Sequence, residues 1–204
     1  MSMDKLNKVF KMPVPVKITS RCSSITNAFY NGIIPVIEPS DDEIKEALET
    51  LGMTEDTICC AYCGDRYTEW DHLNPLVENK RPTGFISEIH NLVPACGKCN
   101  QSKGNKNWKT WMQSSAALSP TTRNIPDIDE RINRIEKYEQ KYQPRRYDLR
   151  AIVGNDLWEQ HLHNRDAIIE KMKESQELSD KIKKVISDAV NTEDKGNGDM
   201  ERLF

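Results

Sequence analysis

Apolar residues in this chain recur at helical spacing in several stretches and lose that rhythm in the middle. Ile44, Ala47, Leu48 and Leu51 form one stripe of a 3.6-residue helix. Just ahead of them, Ser40-Asp41-Asp42-Glu43 reads as a capping box, with a hydroxyl at the N-cap and a carboxylate three residues on. Gly52 is a natural stop. Trp108, Trp111 and Met112 repeat the spacing over a shorter run, which predicts a short helix. Pro126 is expected to open a further helix with Ile128, Ile132, Ile135, Tyr138 and Tyr142 on one side, and Pro144 to end it. The longest pattern covers Leu157 to Val190, through Leu162, Ile168, Ile169, Met172, Leu178, Ile182, Val185 and Ile186. All these stripes are expected to pack as core.

Elsewhere the pattern is broken. Met1 to Pro39 is punctuated by Pro13, Pro15, Gly32, Pro35 and Pro39, and its apolar pieces are as short as Ile33-Ile34 and Val36-Ile37. It reads as an irregular arm with one short strand or helix. Ser114 to Pro126 is a linker rich in Ser, Thr and Pro, and Asn191 to Phe204 reads as a frayed or disordered tail. The expected division is therefore an arm and helix over 1–57, a central region over 58–113, a helical region over 114–190 and a tail over 191–204.

Composition narrows the classes of function. The chain has 204 residues, 29 basic and 32 acidic, for a net charge of −3. A charge-driven nucleic-acid coat protein is excluded, whereas an enzyme with a local basic face is not. No apolar run is long enough to span a membrane. The first residues lead into no apolar secretory core, so the expectation is a cytoplasmic protein without a membrane partner.

The six cysteines lie at 22, 59, 60, 63, 96 and 99. Cys60-Ala61-Tyr62-Cys63 and Cys96-Gly97-Lys98-Cys99 have matched two-residue gaps, and four thiolates suit a tetrahedral Zn²⁺ that leaves no position open to water. Such a site would be structural and would stabilise a region with little core of its own. Cys59 could stand in for Cys60, but Cys60 preserves the matched gap. Cys22 stands alone and reads as a small buried hydrophobe. A thiol redox enzyme fits poorly, because no βαβ pattern surrounds the pairs.

Between and just after the pairs come Asp71-His72, Asn91, Asn100 and Lys103. Phosphodiester cleavage needs an activated water, neutralisation of phosphate charge and help for the leaving oxygen. Histidine can take a proton near neutral pH, so His72 is the candidate base. A hard ion such as Mg²⁺ prefers oxygen ligands, which Asp71 and the amide oxygen of Asn100 could supply. Lys98, Lys103, Lys106 and Lys109 lie in a stretch without an acidic residue from Pro94 through Gln113, a local basic face suited to phosphate. Lys80-Arg81 is weaker support for the same contact.

The motif text Cys60-x-x-Cys63, Glu69-Trp70-Asp71-His72-Leu73-x-Pro75-Leu76 and His90-Asn91-Leu92-Val93-Pro94-Ala95-Cys96-Gly97-Lys98-Cys99-Asn100-Gln101-Ser102-Lys103-Gly104 resembles the HNH nucleases of the ββα-metal superfamily. The resemblance implies an α+β, mostly α, fold with a zinc-stapled ββα core and helical flanks. It implies that Asp71 and Asn100 hold the catalytic Mg²⁺ or Mn²⁺, that His72 is the general base, and that Asn91 pins the backbone and orients that base. Asn100 stands where many members have a third histidine, which favours a hard ion. His90 reads as a phosphate contact or a structural residue. The implied activity is a DNA endonuclease, on double-stranded substrate, leaving 5′-phosphate and 3′-hydroxyl ends. A restriction or defence role is expected ahead of a phage or mobile-element nuclease or a toxin domain, and a double-strand break by one active centre per chain would favour a homodimer. The C-terminal helices are candidates for dimerisation or for clamping DNA. The competing reading is a zinc-knuckle nucleic-acid-binding module without catalysis.

Overall fold

The computed structural model describes residues 12–200, with side chains described to residue 192. These residues fall into two compact units, one of Asn27–Glu159 and one made of the described parts of Met1–Thr26 and Gln160–Phe204. Among the described residues no helix is long and apolar enough to cross a membrane.

In the first unit, β1 (Glu69–His72) and β4 (Leu92–Ala95) pair antiparallel, with Glu69 opposite Ala95 and His72 opposite Leu92. Two very short strands, β2 (Val77–Glu78) and β3 (Arg81–Pro82), form a hairpin between them in sequence. Beyond β4 comes α3 (Gly97–Lys103), so the central region is two antiparallel strands followed by a helix, as the resemblance implies. The remaining helices of this unit are the C-terminal part of α1 (Cys22–Asn31), then α2 (Asp41–Thr50), α4 (Trp108–Met112), α5 (Ile128–Tyr142) and α6 (Leu149–Val153). The fold is α+β and mostly helical.

The local signals explain most of these elements. Both halves of the capping box form: Ser40 Oγ accepts from Glu43 N–H, and Glu43 Oε2 accepts from Ser40 N–H at 2.8 Å. Gly52 follows α2 with φ +71°. Helix α5 begins at Ile128, two residues after the proline expected to open it, with Asp127 at its N-cap and paired with Arg131. The arm holds more than its prolines suggest, since α1 is a ten-residue helix. Val36 then bridges Ser87 in parallel, and Ile37 N–H donates to Ser87 O at 2.8 Å.

One hydrophobic cluster joins Leu48 and Leu51 of α2, Trp108, Trp111 and Met112 of α4, Ile132, Ile135 and Tyr138 of α5, and the two cysteine loops. The rings of Tyr62 and Trp111 meet edge to face at 5.2 Å. Each stripe expected over α2, α4 and α5 is therefore core.

The long C-terminal stripe behaves differently. Helix α7 (Asn155–Met200) carries the pattern, and its backbone stays helical past Val190 to Met200. Yet Leu178, Ile182, Val185, Ile186 and Val190 are all more than half exposed. Periodicity determined the helix, but nothing among the described residues covers that side. Cys22 is likewise only half-buried, not a buried hydrophobe.

Replacing Ile135, which has no exposed surface, by Ala is expected to cost about 2–5 kcal/mol in urea denaturation. Ile182→Ala on the exposed stripe is expected to change stability by no more than about 0.5 kcal/mol. Equal losses at the two positions would contradict this division into core and surface.

Candidate active site and metal centre

Cys60, Cys63, Cys96 and Cys99 are all buried, and their sulfurs lie within 4.8 Å of one another. A tetrahedral site with Zn–S bonds of 2.3 Å has sulfur–sulfur edges of about 3.8 Å. Cys63 Sγ and Cys96 Sγ are 3.7 Å apart, so the cluster fits a zinc site. Cys59 is outside the four and half-buried, which settles the choice between neighbours.

The backbone makes this approach possible. Gly64 N–H closes the first loop onto Cys60 O at 2.8 Å with φ +79°, and a Cβ there would sit 2.5 Å from the Arg131 guanidinium. Ala61 N–H donates to Pro94 O, tying this loop to β4, and Cys96 is the N-cap of α3. Arg123 donates to Cys99 Sγ at 3.3 Å and to Asp65 at 2.7 Å, placing a cation against the sulfur cluster. Hydrogen bonds from Cys60, then from Cys99, pull the Cys63 thiol far below its ordinary value. Arg123 belongs to the Ser/Thr/Pro linker, where no pattern marks it as a partner of the cluster.

Asp71 and His72 end β1, on opposite sides of the strand. Asp71 is buried and lies beside the sulfur cluster's own loop: Tyr62, between Cys60 and Cys63, donates its hydroxyl to Asp71 Oδ2 at 2.6 Å. The Lys103 ammonium reaches the same oxygen at 3.1 Å and Oδ1 at 3.3 Å, and donates to His72 O at 2.7 Å. Burial pushes the Asp71 carboxyl up and the Lys103 ammonium down, each against the attraction of the other. Burial, followed by the charge of Asp71, pushes the Tyr62 hydroxyl well up.

This corrects the expectation for Lys103. It has no exposed surface and is committed to Asp71 and two carbonyls, so it is not presented to a phosphate. Its place at the end of α3, facing β1, puts the ammonium inside the domain. Lys109 is paired with Glu136 of α5, so the expected four-lysine face keeps Lys98 and Lys106 as exposed cations without an ion pair among the described residues, the Lys106 ammonium donating to Ser102 O at 2.7 Å.

His72 Nε2 lies 2.9 Å from Ser87 Oγ. Burial, with a smaller contribution from Lys103, lowers the imidazole to about 4, so the ring is neutral at neutral pH and can accept a proton. Asn91 has no exposed surface. Its Oδ1 accepts from Asn74 N–H at 2.9 Å, and its Nδ2 donates to Asn74 O and Ile86 O. It therefore pins the chain just after His72 to the chain just before Ser87. Asn100 Nδ2 donates to Glu69 Oε2 at 2.8 Å, which leaves its carbonyl oxygen as the available ligand atom. Ser87, Asn74, Glu69 and Tyr62 were not singled out in the sequence. Each stands in or near the motif, but no pattern says which of its polar neighbours a residue will meet.

Asp71, His72, Ser87 and Asn100 line one cavity of about 400 Å³, and Asn27 and Asn31 of α1 form part of its wall. His90 is not among its lining residues. It stacks on Tyr142 of α5 at 4.6 Å and 13°, a packing contact.

Residues 60–106 match the family model described as HNH endonuclease. This stretch is an HNH endonuclease domain. A curated relative, the CRISPR-associated endonuclease Cas9 of Corynebacterium diphtheriae, is 38% identical over 61 residues, which make up 28% of this chain and 5% of the relative. The chain thus spans a small fraction of that relative's length. No solved structure matches. The matched stretch supplies Asp71, His72, Ser87 and Asn100 to the cavity, while Asn27, Asn31, Ile34 and Val36 of its lining lie outside that stretch.

Two outcomes are expected of this arrangement. Native mass spectrometry should find one zinc per chain, lost in Cys99→Ser; wild type without zinc would contradict the assignment. Lys103→Met should destabilise the protein by about 3–5 kcal/mol in chemical denaturation, because it leaves Asp71 buried and unpaired. A surface phosphate contact would change stability by less than about 0.5 kcal/mol.

Proposed function

We propose that the protein is a divalent-metal-dependent DNA endonuclease, with His72 as general base and Asp71 and Asn100 as the residues that hold the ion. The observation that carries this reading is the shared cavity: His72, Asp71 and Asn100 line one space.

The donor set fits a hard ion. Asn100 offers its amide oxygen, since its nitrogen is taken by Glu69. A carboxylate has about four lone-pair positions, and Tyr62 and Lys103 do not exhaust those of Asp71. When bound, the ion would stabilise charge on the phosphate and on the departing 3′-oxygen. His72 takes a proton from water as the water oxygen bonds to phosphorus. The bond from phosphorus to the 3′-oxygen breaks, that oxygen gains a proton from solvent, and the products are a 5′-phosphate and a 3′-hydroxyl. A ring that donates Nε2–H to Ser87 leaves Nδ1 to take the proton. Asn91 positions both ends of that arrangement by fixing Asn74 and Ile86.

The competing reading, a zinc-stapled nucleic-acid-binding module, draws on one observation: Lys103 already balances the charge of Asp71. Plasmid incubated with Mg²⁺ or Mn²⁺ separates the two. The nuclease reading expects nicked or linear product, with His72→Ala slowing cleavage by about 10²–10⁴-fold while zinc content and DNA binding persist. Wild type that binds plasmid and never cuts it with either ion would leave only the module.

A further inference from the structure

The loss of Lys103 and Lys109 from the expected basic face raises the question of where a polyanion would be held. The structure supplies a different set of cations on the other side of the loop that follows His72. The β2–β3 hairpin turns through Asn79 and Lys80, with φ of +50° and +60°, the two-residue turn suited to hairpins. Glycine is the usual second residue of such a turn. A lysine there is held at a cost of about 1–2 kcal/mol, and it places an exposed ammonium at the hairpin tip, followed by the exposed Arg81.

A distant segment is strapped to the same hairpin. Beyond α5, Tyr147 N–H donates to Gly84 O at 2.8 Å, and Arg146 Nε donates to Thr83 O at 3.0 Å. Gly84 permits this approach, since a Cβ there would sit 2.5 Å from Tyr147 O. Arg145 then lies over the Tyr147 ring at 5.6 Å and Arg146 over the Phe85 ring at 5.7 Å. Both guanidinium groups are exposed yet seated, so they lose less freedom than an unsupported side chain when they meet an anion. Lys80, Arg81, Arg145 and Arg146 form no ion pair among the described residues. Two acids accompany them: Glu78, opposite Arg81 in the hairpin and on the wall of the small cavity that Arg146 also lines, and Asp148, whose carboxylate caps α6.

This cluster adjoins the catalytic cavity. Pro75 and Asn105 line both that cavity and a smaller one of about 190 Å³ that Thr83 and Arg146 also line. We infer that the β2–β3 hairpin and the Arg145–Arg146 segment form the surface that holds the backbone of duplex DNA beside the cavity. The inference rests on the nuclease reading and names how that site takes its substrate. Duplex is favoured over single strand because Tyr147 and Phe85, the rings a single strand would stack on, already seat the two arginines. The contacts are to phosphate, so they position the duplex without reading its sequence.

The test is anisotropy of a fluorescein-labelled DNA duplex with the full chain, in buffer without added divalent ion, at several salt concentrations. Each of the double variants Lys80→Ala/Arg81→Ala and Arg145→Ala/Arg146→Ala should weaken binding and flatten the plot of log K against log salt by about 1.8, the slope of two phosphate contacts. Arg145→Lys/Arg146→Lys should keep the slope, which separates lost charge from a disturbed fold. An unchanged slope in both alanine variants overturns the inference, as does a loss of slope confined to Lys98→Ala/Lys106→Ala. Tighter binding of the single strand than of the duplex also overturns it. If wild type cuts plasmid while the slopes stay unchanged, the surface is wrong and the nuclease reading stands. If the slopes fall and no cutting is ever seen, the surface stands and the nuclease reading falls.

Discussion

A buried carboxylate dictates much of this domain. Asp71 sits at the end of a strand, out of water, and an isolated charge there would be prohibitively costly. It is tolerated because Tyr62 and Lys103 both reach it. Those partners come from different places: Tyr62 from the first cysteine loop, Lys103 from the last turn of α3. One carboxylate therefore ties the sulfur cluster, the β1–β4 pair and the helix into a single arrangement. The same lysine also holds the carbonyl of His72, so the backbone that carries the candidate base is fixed by the same network.

The sulfur cluster serves the part of the chain that apolar packing serves least. Residues between the first cysteine loop and α3 show no sustained periodicity, and their strands are four residues or fewer. Such short strands bury little apolar area by themselves. Four buried sulfurs brought together across the β1–β4 pair, with Arg123 against them, close that region from one side. The large buried rings of Trp108, Trp111, Tyr62 and Tyr138 pack in the same cluster as the sulfurs. Asp71 and His72, which end β1, line the cavity together with the apolar Ile34, Leu76 and Val77.

Charge is distributed by the same logic. Several cations are consumed in pairs: the buried Lys103 by Asp71, the half-exposed Lys109 by Glu136, and Arg123 by Asp65 and the cysteine sulfur. Cations seated on rings at the surface, Arg145 and Arg146, keep their charge available. A protein with a net charge of −3 can in this way present a local positive face without an overall basic composition.

Much of this was legible in the residues themselves. The capping box at Ser40, the stripes of α2, α4 and α5, and the matched cysteine gaps each act over a few residues, and backbone geometry converts such spacings directly into helices and loops. The motif also named Asp71, His72, Asn91 and Asn100 before any of them had neighbours. The tertiary structure alone decided who meets whom. Lys103 and Lys98 look alike in sequence, yet one is sealed against Asp71 and the other is exposed, because a helix's turn relative to a strand depends on packing that no local pattern encodes. The stripe on α7 makes the same point in reverse. Its spacing specifies a helix with an apolar side, but burial needs a second surface, and spacing along one chain segment carries no information about whether that surface arrives.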